Sequence, residues 1–284
     1  MPDPVSSLPE LFGEIRAYLS ARADETFVVA ALPGPTVGMH VVGSHLYGLA
    51  TPESDLDLAY VFVQPTRTLL GLSPPGERAL TYEGRLEGPR RVEYVAHEVG
   101  KFCRLLLQGN PTMVERLWAS PLAATPEWRA LQERRRLFLS QAVVRQYLGY
   151  LTGQMRRLGR GASVHTTGGQ VNGKWAAHLL RIAWDLRALA DGAEPVVQWA
   201  SRPDHCAHLR AVRAGAAPVW DAAIAEAREI LARVNTQAPW DCWPVTGAAD
   251  WLEGWLLRVR HQYGGDPLSA AIEPCAPSGD AEKA

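Results

Sequence analysis

The stretch GSHLYGLATPESDLD, residues 43–57, is the most informative part of this sequence. It opens with Gly43 and Ser44, a pair that lets a polyphosphate approach the backbone amides and the serine hydroxyl closely. It closes with Asp55 and Asp57, which project from the same face because they alternate with Leu56 on a predicted strand. Two carboxylates in that arrangement suit joint ligation of a hard cation such as Mg²⁺. We therefore expect one site for phosphate and metal at this stretch.

Either half of the stretch alone would be weak evidence for such a site. An Asp-x-Asp pair on a strand is more often a solvated face, and a lone Gly-Ser is more often a plain turn. Here the two halves are joined by a turn at residues 51–54, which lets the strand return beside the glycine. The combination is therefore much more specific than its parts.

Strand patterns flank the stretch, and helical patterns dominate after them. The spacing of apolar residues predicts strands at residues 37–42, 55–63 and 91–97, with a minor strand near residues 79–82. It predicts helices at residues 8–23, 98–108, 112–118, 127–157 with an interruption, 174–190, 206–211, 218–235 and 248–263. We therefore expect an α/β domain over residues 1–140 and an all-helical domain over residues 141–265. Residues 266–284 are small, polar and Pro-containing, which indicates a disordered tail.

The composition excludes several classes of protein. The 29 Lys and Arg residues balance 30 Asp and Glu, which argues against coating nucleic acid by bulk positive charge and leaves a local basic cleft open. The four cysteines are scattered, without a zinc or disulfide pattern. The N-terminus lacks a signal-peptide pattern, and no stretch approaches the roughly 18 apolar residues of a membrane span. A soluble cytoplasmic protein is the expectation.

The helical half contains a basic stripe. Lys174, His178 and Arg181 recur at helical spacing on one face, behind a loop at residues 165–170 and a predicted N-cap at Asn172. Exposed amides at such a helix start can receive an anion. From spacing alone, a solvated or salt-bridged surface is the better interpretation. The alternative is that the stripe binds the phosphates of a nucleotide or an RNA end.

Taken together, these motifs resemble the DNA polymerase β superfamily of nucleotidyltransferases, whose signature is Gly-Ser followed by Asp-x-Asp. The run YGLATP at residues 47–52 and the Ser54-Asp55 pair are similar to a predicted nucleotidyltransferase branch associated with RNA repair. Further matches are KF at residues 101–102, LLL at 105–107, GNP at 109–111, Glu115, and the spacing of Lys174, His178 and Arg181. The resemblance spans roughly residues 43–192.

The resemblance implies a fold and a set of site residues. The fold is an α/β (α+β) polymerase β-type nucleotidyltransferase domain with a mixed sheet, followed by an all-helical domain, with the active site in the cleft between them. Asp55 and Asp57 would be metal ligands, and Gly43 and Ser44 would cradle the triphosphate. The basic stripe would then contact the nucleotide.

The superfamily also needs a third carboxylate from a later strand. Glu93 is the candidate because it lies near the start of the strand predicted at residues 91–97. Glu83, Glu87 and Glu98 are alternatives, and Glu93 could instead be the exposed half of an alternating strand.

The implied reaction is transfer of a nucleoside monophosphate from an NTP, with ATP the first choice, to a hydroxyl acceptor with release of pyrophosphate. Mg²⁺, or Mn²⁺ in its place, would act as a pair of ions about 3.5–4 Å apart. An RNA or tRNA end is the first acceptor to consider, and a protein side chain or small molecule remains open. The rival hypothesis is a non-catalytic RNA-binding or toxin–antitoxin module on the same fold. An intact carboxylate triad favours catalysis over that rival.

Overall fold

The computed structural model describes residues 32–51, 54–86, 91–159 and 172–265. The predicted helix at residues 8–23, the loop at residues 165–170, the predicted disordered tail and Glu87 lie outside the described residues.

The sheet is mixed and has five strands. They are β1 (Thr36–Val42), β2 (Leu56–Phe62), β3 (Thr81–Leu86), β4 (Val92–Glu98) and β5 (Pro121–Ala124). Their spatial order is β3-β4-β2-β1-β5, with β2 and β4 parallel and the other neighbours antiparallel. This confirms the predicted α/β fold class with a mixed sheet. The short edge strand β5 was not predicted, because four residues led by a proline carry no alternation to detect.

Strand β2 lies in the middle of the sheet and is buried on both faces. Leu58, Tyr60 and their apolar neighbours at alternate positions pack into one core with Met39 of β1. Val61 faces the opposite way, into a larger core shared with the helices. This arrangement explains why the strand after Asp57 is apolar at nearly every position.

Ten helices occur in the described part of the chain. They are α1 (Gly43–Leu46), α2 (Thr66–Leu70), α3 (Val99–Leu107), α4 (Pro111–Trp118), α5 (Pro126–Glu133), α6 (Gln141–Gly159), α7 (Gly173–Ala190), α8 (Pro203–Ala214), α9 (Ala217–Thr236) and α10 (Ala249–Tyr263). Short 3₁₀ turns occur at Glu77–Leu80, Arg135–Phe138 and Trp199–Ser201. The interruption predicted within residues 127–157 thus falls between α5 and α6. None of the described helices is long and apolar enough to cross a membrane.

Several helices begin where a polar side chain caps their first amides. Asn110 Oδ1 accepts from the Met113 amide at 3.3 Å, and Asn172 Oδ1 accepts from the Trp175 amide at 2.9 Å. An uncapped helix start leaves several backbone N–H groups unpaired, so each such cap favours one start position. Asn172 therefore sets where α7, the helix with the basic stripe, begins.

The larger core joins the sheet to the helices of the second half. Trp128 of α5 packs beneath Gly38 of β1 and makes an edge contact with Trp255 of α10, with ring centroids 6.5 Å apart. The Trp255 indole also donates to the Glu127 carbonyl at 2.8 Å. The last helix therefore returns to the first half of the chain. The division at residue 140 stays a prediction about chain organisation.

Candidate active site

Gly43 and Asp57 meet where β1 ends. Asp57 pairs with Val42, the last residue of β1, so Gly43 follows directly beside the Asp57 carboxylate. Gly43 has a φ of +65°, in the left-handed region that favours glycine. A Cβ at this position would collide with Oδ2 of Asp57. Both the backbone conformation and the neighbouring carboxylate therefore require glycine here.

The parallel pairing of β2 with β4 brings the other predicted acids to the same place. Glu93 on β4 is in register with Asp57, and its Oε1 accepts from Arg91 Nη2 at 2.7 Å and from Arg85 Nε at 2.9 Å. Asp55 precedes β2, with its Oδ2 3.7 Å from Arg91 Nη1. The three predicted acids thus gather at one end of two parallel strands.

The pKa of Asp57 reflects this gathering. Burial raises the pKa of its carboxyl, and the negative charges of Glu93 and Asp55 raise it further. Lys174 and Arg91 act in the opposite direction. A carboxylate that is crowded by like charges gains from a bound cation, so this electrostatic setting suits a metal ligand.

The acids fit a divalent cation in type and register, and two of them, Asp55 and Glu93, are paired with arginines. Oxygen donors from carboxylates are the ligands that Mg²⁺ prefers. Within the described ranges, no group of three or more His, Cys, Asp and Glu side chains is arranged to hold a metal ion. Both arginine contacts of Glu93 are made by Oε1, so a metal at Asp57 and Glu93 would share this carboxylate with Arg85 and Arg91.

Gly43 and Asp57 line two different cavities. The helix-side cavity, about 330 Å³, also includes Ser44, Tyr47, Tyr150, Lys174, His178 and Arg213 in its lining. The sheet-edge cavity, about 490 Å³, extends over β2, β4 and β3 and includes Glu83, Arg85 and Glu93. The site therefore has one basic side and one mixed, largely acidic side, with Asp57 between them.

The alternatives to Glu93 have different surroundings. Glu98 caps α3 by accepting from the amides of Gly100 at 2.7 Å and Lys101 at 3.2 Å, and it pairs with Arg260 at 2.8 Å. That carboxylate is occupied by a structural role. Glu83 lines the sheet-edge cavity but is not in register with Asp57. Glu93 remains the best candidate for the third carboxylate.

Helix α7 brings Lys174 and His178 to the helix-side cavity. Lys174 lies in the first turn of α7, and its charge reaches Asp57 across the cavity. One turn later, His178 Nε2 shares a 2.9 Å hydrogen bond with the Tyr150 hydroxyl of α6. The structure thus brings both residues close to the Gly43-Ser44 turn, as the stripe hypothesis requires.

Arg181, the third member of the stripe, lies deeper. Its side chain is 1% exposed, and its Nη1 contacts Glu115 Oε1 at 2.9 Å and Asp185 Oδ2 at 3.2 Å. The guanidinium lies over the Tyr47 ring, 3.6 Å from the centroid. Its predicted contact with nucleotide phosphate stays a prediction, but in this structure the guanidinium is engaged within the protein.

Buried charges and hydroxyls surround Arg181. Tyr47 donates to Glu115 Oε2 at 2.6 Å, and Asp185 Oδ1 accepts from the Val196 amide at 2.7 Å. Burial by itself would lower the pKa of Arg181, but Glu115, Tyr47 and Asp185 together outweigh burial and raise it. Burial also raises the pKa of Asp185, to about 8, against the opposing effect of Arg181. This cluster connects the turn after α1 to α4 and α7.

Sequence reasoning did not single out three residues that line the helix-side cavity. Tyr47 belongs to the quoted stretch, but an aromatic residue in a turn gives no signal of a role. Tyr150 and Arg213 lie on helices whose patterns indicate only buried and exposed faces. Which helix faces meet at the cavity depends on packing between helices, and no local spacing encodes that.

A mixed sheet with gathered acids beside a glycine turn, faced by a basic helix, defines the class of polymerase β-type nucleotidyltransferases. The model of the RNA repair pathway DNA polymerase beta family, RlaP, matches residues 34–219. The chain belongs to this family. The resemblance drawn from the sequence motifs is therefore confirmed.

Two further proteins are similar to this chain. The "uncharacterized 38.9 kDa protein in nrdC-mobD intergenic region" of Enterobacteria phage T4 is 29% identical over 132 residues, which are 44% of this chain and 39% of the phage protein. The chain therefore matches less than half of that relative's length. The crystal structure of a nucleotidyltransferase-like protein from Exiguobacterium sibiricum 255-15 aligns with a TM-score of 0.32 at 17% identity, covering 86% of this chain and 79% of that one.

Proposed function

We propose that this protein transfers a nucleoside monophosphate from an NTP, ATP first, to a hydroxyl acceptor, with an RNA or tRNA end the first acceptor to test. The observation that carries the proposal is that Asp57 lines two cavities of different charge. A transfer reaction needs donor and acceptor on opposite sides of the reacting phosphorus, in line. Membership of an RNA repair family supports the choice of acceptor.

The helix-side cavity suits the donor triphosphate. Gly43 and Ser44 offer a glycine turn and a hydroxyl on one wall, while Lys174 and His178 face them from α7. Lysine acts on phosphates as a point charge, and a turn with glycine admits phosphate close to backbone amides. The triphosphate would lie between the two walls, with its α-phosphorus toward Asp57.

The sheet-edge cavity suits the acceptor. Asp57 lines this cavity as well, and Glu93 lines it beside Asp57. Asp55, Asp57 and Glu93 would hold Mg²⁺, or Mn²⁺ in its place, by their carboxylate oxygens. When bound, the metal would lower the pKa of the acceptor hydroxyl and neutralise phosphate charge. The chain's own residues would orient the two substrates and hold the hydroxyl in line.

Substitution of Asp57 tests the proposal directly. Asp57→Asn keeps the side-chain shape and removes the charge, so nucleotidyl transfer should fall on the order of a hundredfold or more. Incorporation of each labelled NTP into RNA and tRNA with Mg²⁺ or Mn²⁺ is the measurement. Asp250→Asn, an exposed acid in the first turn of α10, is the matched control and should retain full activity. Near wild-type turnover in the Asp57 variant would overturn the assignment.

Glu93→Gln separates the acceptor side from the donor side. It should lower the transfer rate much more than NTP affinity, because the acid is expected to act on the acceptor hydroxyl. Unchanged turnover would move the role to another carboxylate such as Glu83. If wild-type protein binds RNA but transfers no nucleotide to any acceptor, the non-catalytic alternative is favoured. The arginine contacts of Glu93 are the observation behind that alternative.

A further inference from the structure

Arg181, Lys174 and Arg213 line the helix-side cavity, and they differ in their partners within the described residues. Arg181 lines it, but its charge is matched by Glu115 and Asp185. Lys174 and Arg213 also line the cavity. Within the described part of the chain, neither of these two side chains makes an ion pair or a side-chain hydrogen bond. An arginine beside a cavity with no protein partner is available for a ligand anion.

Arg213 is half-buried, unlike an ordinary surface arginine. It lies in the last turn of α8, and burial lowers the pKa of its guanidinium. A partly desolvated cation without a counter-charge is unfavourable, and a bound anion would offset that cost. A favourable interaction with the C-terminal end of α8 accounts for a basic residue at this point, but not for its place in the cavity lining.

The backbone at Arg213 is fixed against the start of α7. A Cβ at Gly173 would collide with the Arg213 carbonyl oxygen, so the two helix ends are in direct contact. Gly173 comes directly before Lys174 in the sequence. The backbone segments that carry Arg213 and Lys174, two residues that line the same cavity, are therefore held together by a contact that only glycine permits.

We infer that Arg213 binds phosphate oxygens of the nucleotide in the helix-side cavity, the role for which the sequence pattern suggested Arg181. This inference rests on the proposed function and names a further residue in its donor site. The planar guanidinium can donate two parallel hydrogen bonds to phosphate, which the ammonium of Lys174 cannot. Arg181 then supports the wall of the cavity from behind, through Tyr47.

Titration calorimetry with a non-hydrolysable ATP analogue tests this inference. Arg213→Ala should weaken binding roughly ten- to a hundredfold, the loss expected for a charge-assisted contact. Arg213→Lys keeps the charge without the two-pronged geometry, so an intermediate loss is expected. Arg233→Ala removes an exposed arginine that pairs with Asp191 on another surface, and it should bind like wild type. Thermal unfolding of each variant confirms that the fold is retained.

Two further ligands identify what Arg213 contacts. Inorganic triphosphate should lose affinity for Arg213→Ala by a similar factor, while adenosine should bind unchanged. Unchanged affinity for both the ATP analogue and triphosphate would overturn the inference, as would a loss seen equally with adenosine. If Lys174→Ala weakens binding of the ATP analogue and Arg213→Ala does not, the role assigned to Arg213 is wrong and the proposed donor site is retained. If wild-type protein binds neither phosphate ligand, the proposed function fails with it.

Discussion

At the scale of single residues, Gly43 is the position at which backbone conformation and chemistry depend on each other most directly. Gly43 has no Cβ, which permits its positive φ and also leaves room for the Asp57 carboxylate. Any side chain there would displace Asp57 or distort the turn that carries Ser44. Glycine at this position therefore fixes where the Asp57 carboxylate lies. Substitution of Gly43 should reduce activity more than stability.

Gly43→Ala measures that constraint. The left-handed conformation should cost on the order of 1–3 kcal/mol of unfolding free energy, since alanine rarely adopts it. Nucleotidyl transfer should fall at least tenfold, because a 1 Å misplacement of a reacting group already costs up to about a hundredfold. Gly149→Ala on α6 is the control, as a Cβ there meets nothing within 4 Å. Activity of Gly43→Ala equal to that of the control would show that Asp57 is not positioned by this contact.

At the scale of elements, the cluster around Arg181 ties four of them together. Tyr47 follows α1, Glu115 belongs to α4, Tyr147 to α6, and Arg181 with Asp185 to α7. Both walls of the helix-side cavity, the Gly43-Ser44 turn and α7, are attached to it. We therefore interpret the cluster as the means by which the distance between these walls is held.

Substitution within this cluster should affect stability strongly. Glu115→Ala leaves the buried Arg181 charge with one acidic partner, and loss of one member of a buried ion pair typically costs about 3–5 kcal/mol. Tyr47→Phe removes only one hydroxyl and leaves the ring over the guanidinium, so a loss of about 1–2 kcal/mol is expected. Urea unfolding gives both values. If Glu115→Ala lowered the free energy of unfolding less than Tyr47→Phe does, Arg181 would be solvated and the cluster would not be structural.

At the scale of the whole molecule, one core extends from the sheet to the last helix. It includes Val61 of β2, Trp128 of α5, Trp184 of α7 and Trp255 of α10. Helix α10 also reaches the start of α3 through the pair between Arg260 and Glu98. Within the described residues, the sheet and the helices after residue 140 therefore share part of one core.

Trp255→Ala tests this continuity. The side chain is 1% exposed and packs against Trp128, so its removal should cost about 3–5 kcal/mol. If the core is shared, near-ultraviolet circular dichroism and a probe attached to the sheet should report one transition, at a lower midpoint than in wild type. Trp220→Ala, a partly buried tryptophan on α9, is the comparison and should cost less. A sheet transition unaffected by Trp255→Ala would indicate independent domains.

Much of the fold followed from local patterns. Alternating apolar residues predicted the strand from Leu56, and the apolar spacing predicted a helix at residues 112–118, where α4 lies. The spacing of residues 43–57 predicted that the strand with Asp57 returns beside Gly43, and the pairing of Val42 with Asp57 agrees with this. These features depend on residues near one another in the chain, whose backbone preferences and side-chain directions repeat with a fixed period.

Only the tertiary structure decided which of the predicted residues meet. Asp57 and Glu93 lie side by side because β2 and β4 pair in parallel in that register, and the register depends on the packing of whole strands. The members of the helical stripe lie at different depths, since Lys174 is exposed and lines the cavity while Arg181 is buried against Glu115. Arg213 joined the site from α8, more than 30 residues from the stripe's end. Contacts between distant segments depend on the burial of apolar surface throughout the molecule. The periodicity within one segment therefore does not determine which distant segments it contacts.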